Sequence, residues 1–452
     1  MSVCPSFGES GLATVQITTS PGPCTMNSGM ADAPYRCMKA SYPRPVERRR
    51  SAPPPAPPGE PLHDVPSLGD NMGFADSSPP ARSATAALLA SLAVIACDFP
   101  VTGSASGSGG SGETNFSQIS CDLPSSFIFD GGVARDGIPS LQNPSLVSAS
   151  DPGTKYLDDW AAVHAQFPNR LPDTRIIGIV VDGQAIAFPH NILWWHEIIN
   201  VDVGGLKLAV TYCPLTGSSI VFDRKPVGVA RFGVSGLVFQ NNLMMFDPET
   251  ESLWPQMSRG ARCGTRSGRP LRSVPSVEMR WEQWKALYPN TLVVSSETGW
   301  DRNYVAYPYD LYESADFLLF PAGELDSRRP VKERVLGIPD GMGGLAIPFG
   351  VLEQAGAQVA TTVNVGGRSL LLLWDAEAQA AMAFDAATSE GPATIKVVGG
   401  RFVDDETGSV WSVDGRAIEG SRKGQLLNGV DDAYVSFWFA WALFQPETQL
   451  WN

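Results

Sequence analysis

Glu249-Thr250-Glu251-Ser252-Leu253-Trp254 and Glu406-Thr407-Gly408-Ser409-Val410-Trp411 spell one pattern, Glu-Thr-x-Ser-x-Trp, at two places 157 residues apart. The same offset joins Trp281 to Trp438, Trp284 to Trp441, Pro289 to Pro446 and Thr291 to Thr448. Tryptophan is rare, so three matched pairs at one offset argue for an internal repeat. Upstream the match continues with small shifts. Gly178, Ala187, Pro189 and Leu193 meet Gly337, Ala346, Pro348 and Leu352 at an offset of 159. Val203-Gly204-Gly205 meets Val365-Gly366-Gly367, and Phe222 meets Phe384, at an offset of 162. Shifts of this size fit loop insertions and deletions. Residues 173–296 and 332–452 therefore read as two tandem copies of one unit, with a connector over 297–331 and a lead-in over 121–172.

Each copy reads as strands followed by a helix. Arg175 to Val181 and Gln184 to Phe188 flank Asp182-Gly183, a strong hairpin signal. Leu206 to Cys213 and Ser218 to Asp223 are β-branched and aromatic runs joined by Pro214-Leu215-Thr216-Gly217. Val277, Trp281, Trp284 and Tyr288 recur at helical spacing, with Ser276 as a cap and Glu278 suited to the first turn. Tyr434, Trp438 and Trp441 repeat that face. The spacing places these tryptophans on one buried stripe, so they read as core and not as a ligand box. The expected class is α+β and β-rich, two strand-rich units each ending in a Trp-bearing helix.

The region before residue 121 reads differently. Fifteen of the 37 prolines lie between Met1 and Pro80. Residues 1–83 are too poor in apolar side chains to offset their ordering entropy and read as disordered. Arg82 then precedes an uncharged apolar run, Ala84 to Ala96, that ends Val94-Ile95-Ala96-Cys97. It is too short to span a bilayer as a mature helix. It fits a signal-peptide core, and the residues before Cys97 resemble a bacterial lipobox. Residues 84–97 thus predict export and lipidation at Cys97, with the membrane reached through the lipid anchor only. Translation from Met72 would give a signal of ordinary length and make 1–71 a start-site artefact. Residues 98–120 contain a Gly/Ser run that reads as a tether.

The net charge of the 452 residues is -14. Met1 to Ala96 carries seven basic and seven acidic side chains, so the excess lies downstream. An acidic folded part disfavours nucleic acid and anionic membrane surfaces as partners. Four histidines exclude a site built from many imidazoles, and the seven cysteines contain no C-x-x-C pair.

The repeat supplies an internal control: folding residues persist in both copies, whereas residues of a single site need persist in one. His190 and His196, within Phe188-Pro189-His190-Asn191-Ile192-Leu193-Trp194-Trp195-His196, become Phe349 and Ala355. Cys213 and its Gly217-Ser218 turn have no counterpart in Leu373-Trp374-Asp375-Ala376-Glu377. Any chemistry is therefore expected in the first copy.

Ile128-Phe129-Asp130-Gly131-Gly132, Arg135-Asp136-Gly137-Ile138-Pro139, Trp195-His196-Glu197-Ile198-Ile199-Asn200 and Thr211-Tyr212-Cys213-Pro214-Leu215-Thr216-Gly217-Ser218 resemble signature segments of the bacterial family called domain of unknown function 3179 (DUF3179). The resemblance covers roughly residues 121–452. It implies no established activity. Some relatives carry a second cysteine where this chain has Thr216, a departure that bears against a C-x-x-C dithiol role here.

Four readings of the site follow from the residues. In the first, an enzyme, Cys213 is a nucleophile with His196 as base, Glu197 or Asn200 orienting the imidazole, and backbone N–H groups at Gly217 and Ser218 stabilising an oxyanion. In the second, Cys213 and His196, joined by His190 or Cys121, bind copper(I) or zinc. In the third, an oxidising compartment pairs two of Cys121, Cys213 and Cys263, with Cys121–Cys213 tying the lead-in to the sheet. In the fourth, His190, Trp194, Trp195 and His196 line a cleft between the units for a small molecule, carbohydrate or peptide. The residues specify no cofactor. Gly341-Met342-Gly343-Gly344 lacks the Lys-Ser/Thr of a phosphate-binding loop.

Overall fold

A computed structural model describes residues 119–164, 174–385, 387–388 and 391–452, with two short paired strands at Ser6–Phe7 and Ala13–Thr14. Met1–Gly103 and Ser104–Asn452 are separate compact units. Cys97 and the Gly/Ser run lie outside the described residues, as does most of the segment expected to be disordered; the Ser6–Phe7 and Ala13–Thr14 pair falls inside that segment. Among the described residues no helix is long and apolar enough to cross a membrane.

Ser104–Asn452 is strand-rich α+β. Its lead-in supplies β1 (Ile128–Asp130), β2 (Leu141–Gln142), β3 (Leu146–Ser148) and α1 (Lys155–His164). The first segment, 173–296, follows as β4 (Arg175–Val181), β5 (Gln184–Pro189), α2 (His190–His196), β6 (Ile198–Val203), β7 (Leu206–Cys213) and β8 (Ser218–Asp223). It continues with β9 (Gly233–Phe239), β10 (Asn242–Phe246), β11 (Leu253–Pro255), β12 (Val277–Arg280), α3 (Trp281–Leu287) and β13 (Leu292–Val294). The second segment, 332–452, opens with β14 (Arg334–Asp340), β15 (Gly343–Pro348), α4 (Phe349–Ala355), β16 (Gln358–Val365), β17 (Arg368–Asp375) and β18 (Ala380–Asp385). It ends with β19 (Ile395–Val398), β20 (Arg401–Asp404), β21 (Val410–Trp411), β22 (Ala417–Glu419), β23 (Asn428–Gly429), β24 (Tyr434–Phe437), α5 (Trp438–Phe444) and β25 (Gln449–Leu450).

The β4–β5 turn places Asp182 and Gly183 at φ 50° and 78°, the left-handed pair that a two-residue hairpin requires. The runs expected at Leu206 to Cys213 and Ser218 to Asp223 form β7 and β8 over those bounds. One expectation is corrected. Val277 to Arg280 is strand, not the first turn of a helix, and Ser276 caps nothing. The segment pairs with Arg175 to Gly178 of β4, and that ladder satisfies its backbone better than a helical turn would. Helix α3 starts only at Trp281, without a side-chain cap. The second segment does the same at β24 and α5.

Matched hydrogen bonds recur in the two segments. Trp284 donates to Thr291 Oγ1 at 2.9 Å, and Trp441 to Thr448 Oγ1 at 2.8 Å. Trp254 donates to Asp247 and Trp411 to Asp404, both at 2.8 Å, and each carboxylate also accepts from its Thr250 or Thr407 hydroxyl. The sheets interlock across the segments. The strand order β12-β4-β5-β13 is matched by β24-β14-β15-β25, but the latter continues through β24 into β8, β7, β6 and β2. Phe437 N–H donates to Thr216 O at 2.8 Å, and Arg280 N–H to Ala378 O at 2.9 Å. Each segment thus borders a meander of the other.

Candidate functional site

Helix α2 spans only His190 to His196 and lies almost wholly in the core. His196, fully buried at its C-terminal end, has both ring nitrogens engaged. Nδ1 lies 2.7 Å from Pro139 O, and a carbonyl only accepts, so Nδ1 carries the proton. Nε2 then accepts from the Tyr304 hydroxyl at 2.7 Å, whose oxygen lies 2.6 Å from Thr298 Oγ1. Burial pushes the imidazole down to about 4, so it is neutral at physiological pH. His190, at the other end, stacks on Tyr212 with ring centres 4.1 Å apart and sits 3.8 Å from Glu278 Oε2. Burial holds it down to about 3. The two histidines of α2 therefore serve different surroundings.

Glu197 follows the helix with φ 54°. Its N–H closes α2 onto Leu193 O at 2.8 Å, while its C=O accepts from Tyr212 N–H at 2.9 Å. The residue must turn from helix to β6 in one step, and its φ 54°, ψ -31° is a sparsely populated conformation for a residue with a Cβ, costing about 1–3 kcal/mol. Burial pushes its carboxyl up to about 8. A Glu197 charge would act on Cys213 and Tyr309; the imidazole is oriented instead by Pro139 and Tyr304.

Cys213 is 1 % exposed. Its sulfur accepts from Leu243 N–H at 3.3 Å and lies 3.6 Å from Asn241 O. Burial, reinforced by Glu197, pushes the thiol up to about 11. Its partners Leu243, Asn241 and Thr216 are not those of the imidazole, Pro139 and Tyr304, and no hydrogen bond among the described residues joins Cys213 to His196. The turn expected to carry the oxyanion cradle is closely packed. Gly217, at φ 57°, lies under Phe437, where a Cβ would come within 2.6 Å of the ring. The Ser218 hydroxyl is 2.5 Å from Gln256 Oε1 and 2.8 Å from Thr216 Oγ1, a closed polar network completed by Asn242. Asn200 does not orient His196; it clamps β6 to Phe232, donating to its O at 2.9 Å and accepting from its N–H at 2.8 Å.

The disulfide joins Cys121 to Cys263 and leaves Cys213 a free, buried thiol. This corrects the Cys121–Cys213 pairing and removes Cys121 and Cys263 as metal ligands, because a bridged sulfur is no thiolate. Among the described residues no three His, Cys, Asp or Glu side chains group as a metal site. Trp194 packs on Trp160 and on the edge of Tyr307, at 5.7 and 4.9 Å between ring centres. Half-buried Trp195 donates to Ala306 O at 3.3 Å. Both tryptophans receive neighbouring chain.

The connector covers this region as a strap. Asn191 donates to Tyr304 O at 3.0 Å, and Tyr312 donates to Leu215 O at 2.9 Å. Tyr304, Tyr307, Tyr309 and Tyr312 thus run from α2 to the Cys213 turn. Near it lies a second group, centred on Glu278, which the sequence marked only as a first-turn residue of a helix. Glu278 accepts from Arg175 Nε at 2.8 Å and from the Ser219 hydroxyl, with Arg334 at 3.8 Å. Burial opposes its ionisation, but the guanidinium groups prevail and hold the carboxyl down to about 2. The signal available was the matched position, where Glu278 stands opposite Val435.

Two wider clefts lie between the segments. A cleft of about 450 Å³ is lined by Gln184, Tyr288 and Asn290 of the first segment and by Ser412, Arg416 and Lys423 of the second. A neighbouring cleft of about 310 Å³, bordered by Met279, Phe402 and Trp411, shares Leu287, Ser412 and Ile418 with it. No curated protein and no solved structure matches the chain. Residues 135–448 match the family described as protein of unknown function, DUF3179, and the chain belongs to that family.

Proposed function

We propose that this chain is an exported, lipid-anchored ligand-binding protein, tethered through Cys97, whose ligand occupies the cleft between two copies of one ancestral unit. The observation that carries the reading is the contrast in access. The 450 Å³ cleft is of small-molecule size and mixes apolar and polar lining, whereas Cys213 and His196 are sealed and committed to structural partners. A thiol held near 11 is a poor nucleophile at neutral pH. The Cys121–Cys263 bond supports export, since such bonds persist in oxidising compartments. The matched Trp–Thr and Trp–Asp bonds support the duplication.

Two measurements test the proposal. Native mass spectrometry of the full chain extracted from a bacterial envelope should find a non-covalent small molecule. Asn290→Trp, an exposed position at the cleft, should lose it; equal occupancy in both chains would exclude the cleft. Labelled palmitate should appear on the wild-type chain and vanish in Cys97→Ser. A chain that processes its signal without acylation would defeat the anchor.

A further inference from the structure

The cleft between the segments is lined unlike the rest of this acidic molecule. The chain carries a net charge of -14, yet the lining of the 450 Å³ cleft contains Arg416 and Lys423 and no aspartate or glutamate. Asp414 lies behind it, with its oxygens taken by the Tyr288 and Ser412 hydroxyls. Arg416 sits over the Tyr288 ring, 5.5 Å from its centre. Glu419, beyond the lining, pairs with Arg401 and lies within electrostatic reach of Lys423. Gln184, Asn290 and Ser412 add neutral polar groups.

The matched segments separate what folding needs from what this cleft adds. Ala417 N–H donates to Gln425 O at 2.9 Å and Gly424 N–H to Ala417 O at 2.8 Å; Ala261 and Gly268 make the same bonds, to Arg269 O and Ala261 O, at 3.0 and 2.8 Å. That turn therefore folds identically in both segments, at an offset of 156. Within it Arg416 corresponds to Gly260, and Lys423 to Ser267. Across the cleft, Asn290 corresponds to Glu447 at the offset of 157. The turn forms without either cation, so folding does not require them. Both cations are therefore additions of the second segment, facing a wall of neutral polar groups.

Resting on the reading of this cleft as the ligand site, we propose that the ligand is a small hydroxylated carboxylate of the sugar-acid class. Arg416 and Lys423 would receive the carboxylate, a charge-assisted contact for which guanidinium geometry is suited. Gln184, Asn290 and Ser412 would meet hydroxyls, and Leu287, Tyr288 and Ile418 the carbon faces.

The test is titration calorimetry of the full chain with glucuronate, glucose and inorganic phosphate. Glucuronate should bind, at least about 10-fold more tightly than either of the others. The Arg416→Gln/Lys423→Gln chain should weaken it by at least about 10-fold. Asn290→Asp, an exposed change that cannot disturb the core, should weaken it similarly by placing a negative charge on the opposite wall. Equal binding of glucose would overturn the anionic assignment while leaving the cleft as a ligand site. Equal binding of phosphate would overturn the hydroxylated part. Glucuronate bound equally by wild type and Asn290→Asp would place it outside this cleft, and no binding of glucuronate would overturn the class. The molecule sought by native mass spectrometry decides separately whether the cleft is a site at all.

Discussion

Glu197 holds a carboxylic acid where a carboxylate would be poorly solvated, and the consequence is a pH-dependent stability. An ordinary glutamate loses its proton near 4.5, whereas this one holds it to about 8. Between those values the unfolded chain has released the proton and the folded chain has not. Stability therefore falls as the pH rises through that window, and the contribution is complete only below 4.5. Glu197→Gln keeps a neutral side chain at every pH. Its melting temperature relative to wild type should rise from about pH 5 to about pH 9, as the wild type approaches ionisation; a constant difference would refute the burial argument. Cys213 gives a second expectation at this scale. With its thiol near 11 and no exposure, native alkylation by iodoacetamide at neutral pH should be at least about 100-fold slower than for a free thiol titrating near 8.5. Rapid labelling of the folded chain would reopen the nucleophile. The sequence singled out these residues but not their roles. His196 is decided by Pro139 and Tyr304, which lie 57 and 108 residues away in the chain, and nothing local to Trp195-His196-Glu197 specifies either contact.

At the scale of elements, the matched tryptophans are explained by what sits beneath them. A Cβ at Gly178 or at Gly337 would collide with the ring of Trp284 or Trp441, and each indole N–H is tied to Thr291 or Thr448. The glycine, the tryptophan and the threonine form one lock that fastens helix to sheet. Gly178→Ala should therefore destabilise by about 1–3 kcal/mol through overpacking, and Gly337→Ala should do the same in its own lock. Urea unfolding midpoints check both; an unchanged midpoint in either would show that the ring can move aside. This lock was legible as a pattern, because its members keep nearly fixed offsets. So were the hairpin at Asp182-Gly183 and strands β7 and β8, whose signals are local. The strand at Val277 to Arg280 was not. Its valine and the following tryptophans fall at helical spacing, and only pairing with β4, about a hundred residues earlier, selects the extended form.

For the whole molecule, the governing feature is that each segment completes the other. Strand β24 pairs with β14 of its own segment and, through Val435, with Ser219 of β8. Arg280 N–H reaches back the other way to Ala378 O. Nothing in the tandem pattern signals this exchange, because contiguity along the chain predicts two modules side by side. Burial points the same way: Phe437 packs on Gly217, and the buried Arg175–Glu278 pair has Arg334 of the second segment beside it. A first segment made alone would leave β8 unpaired at a sheet edge and strip cover from that ion pair, and a buried charge without its partners costs several kcal/mol. Residues 98–331 and 332–452, produced as separate chains, should therefore each lack a cooperative unfolding transition. Mixed or co-expressed, they should assemble and recover the tryptophan near-ultraviolet signal, since the β8–β24 pairing and the Phe437–Gly217 contact cross no peptide bond that the cut removes. A sharp transition in 332–452 alone would mean that the segment folds as an independent module and that the interlocked sheet is dispensable. It would also detach the 450 Å³ cleft from any need for both segments to fold together, because Gln184 and Asn290 stand on one wall and Arg416 and Lys423 on the other.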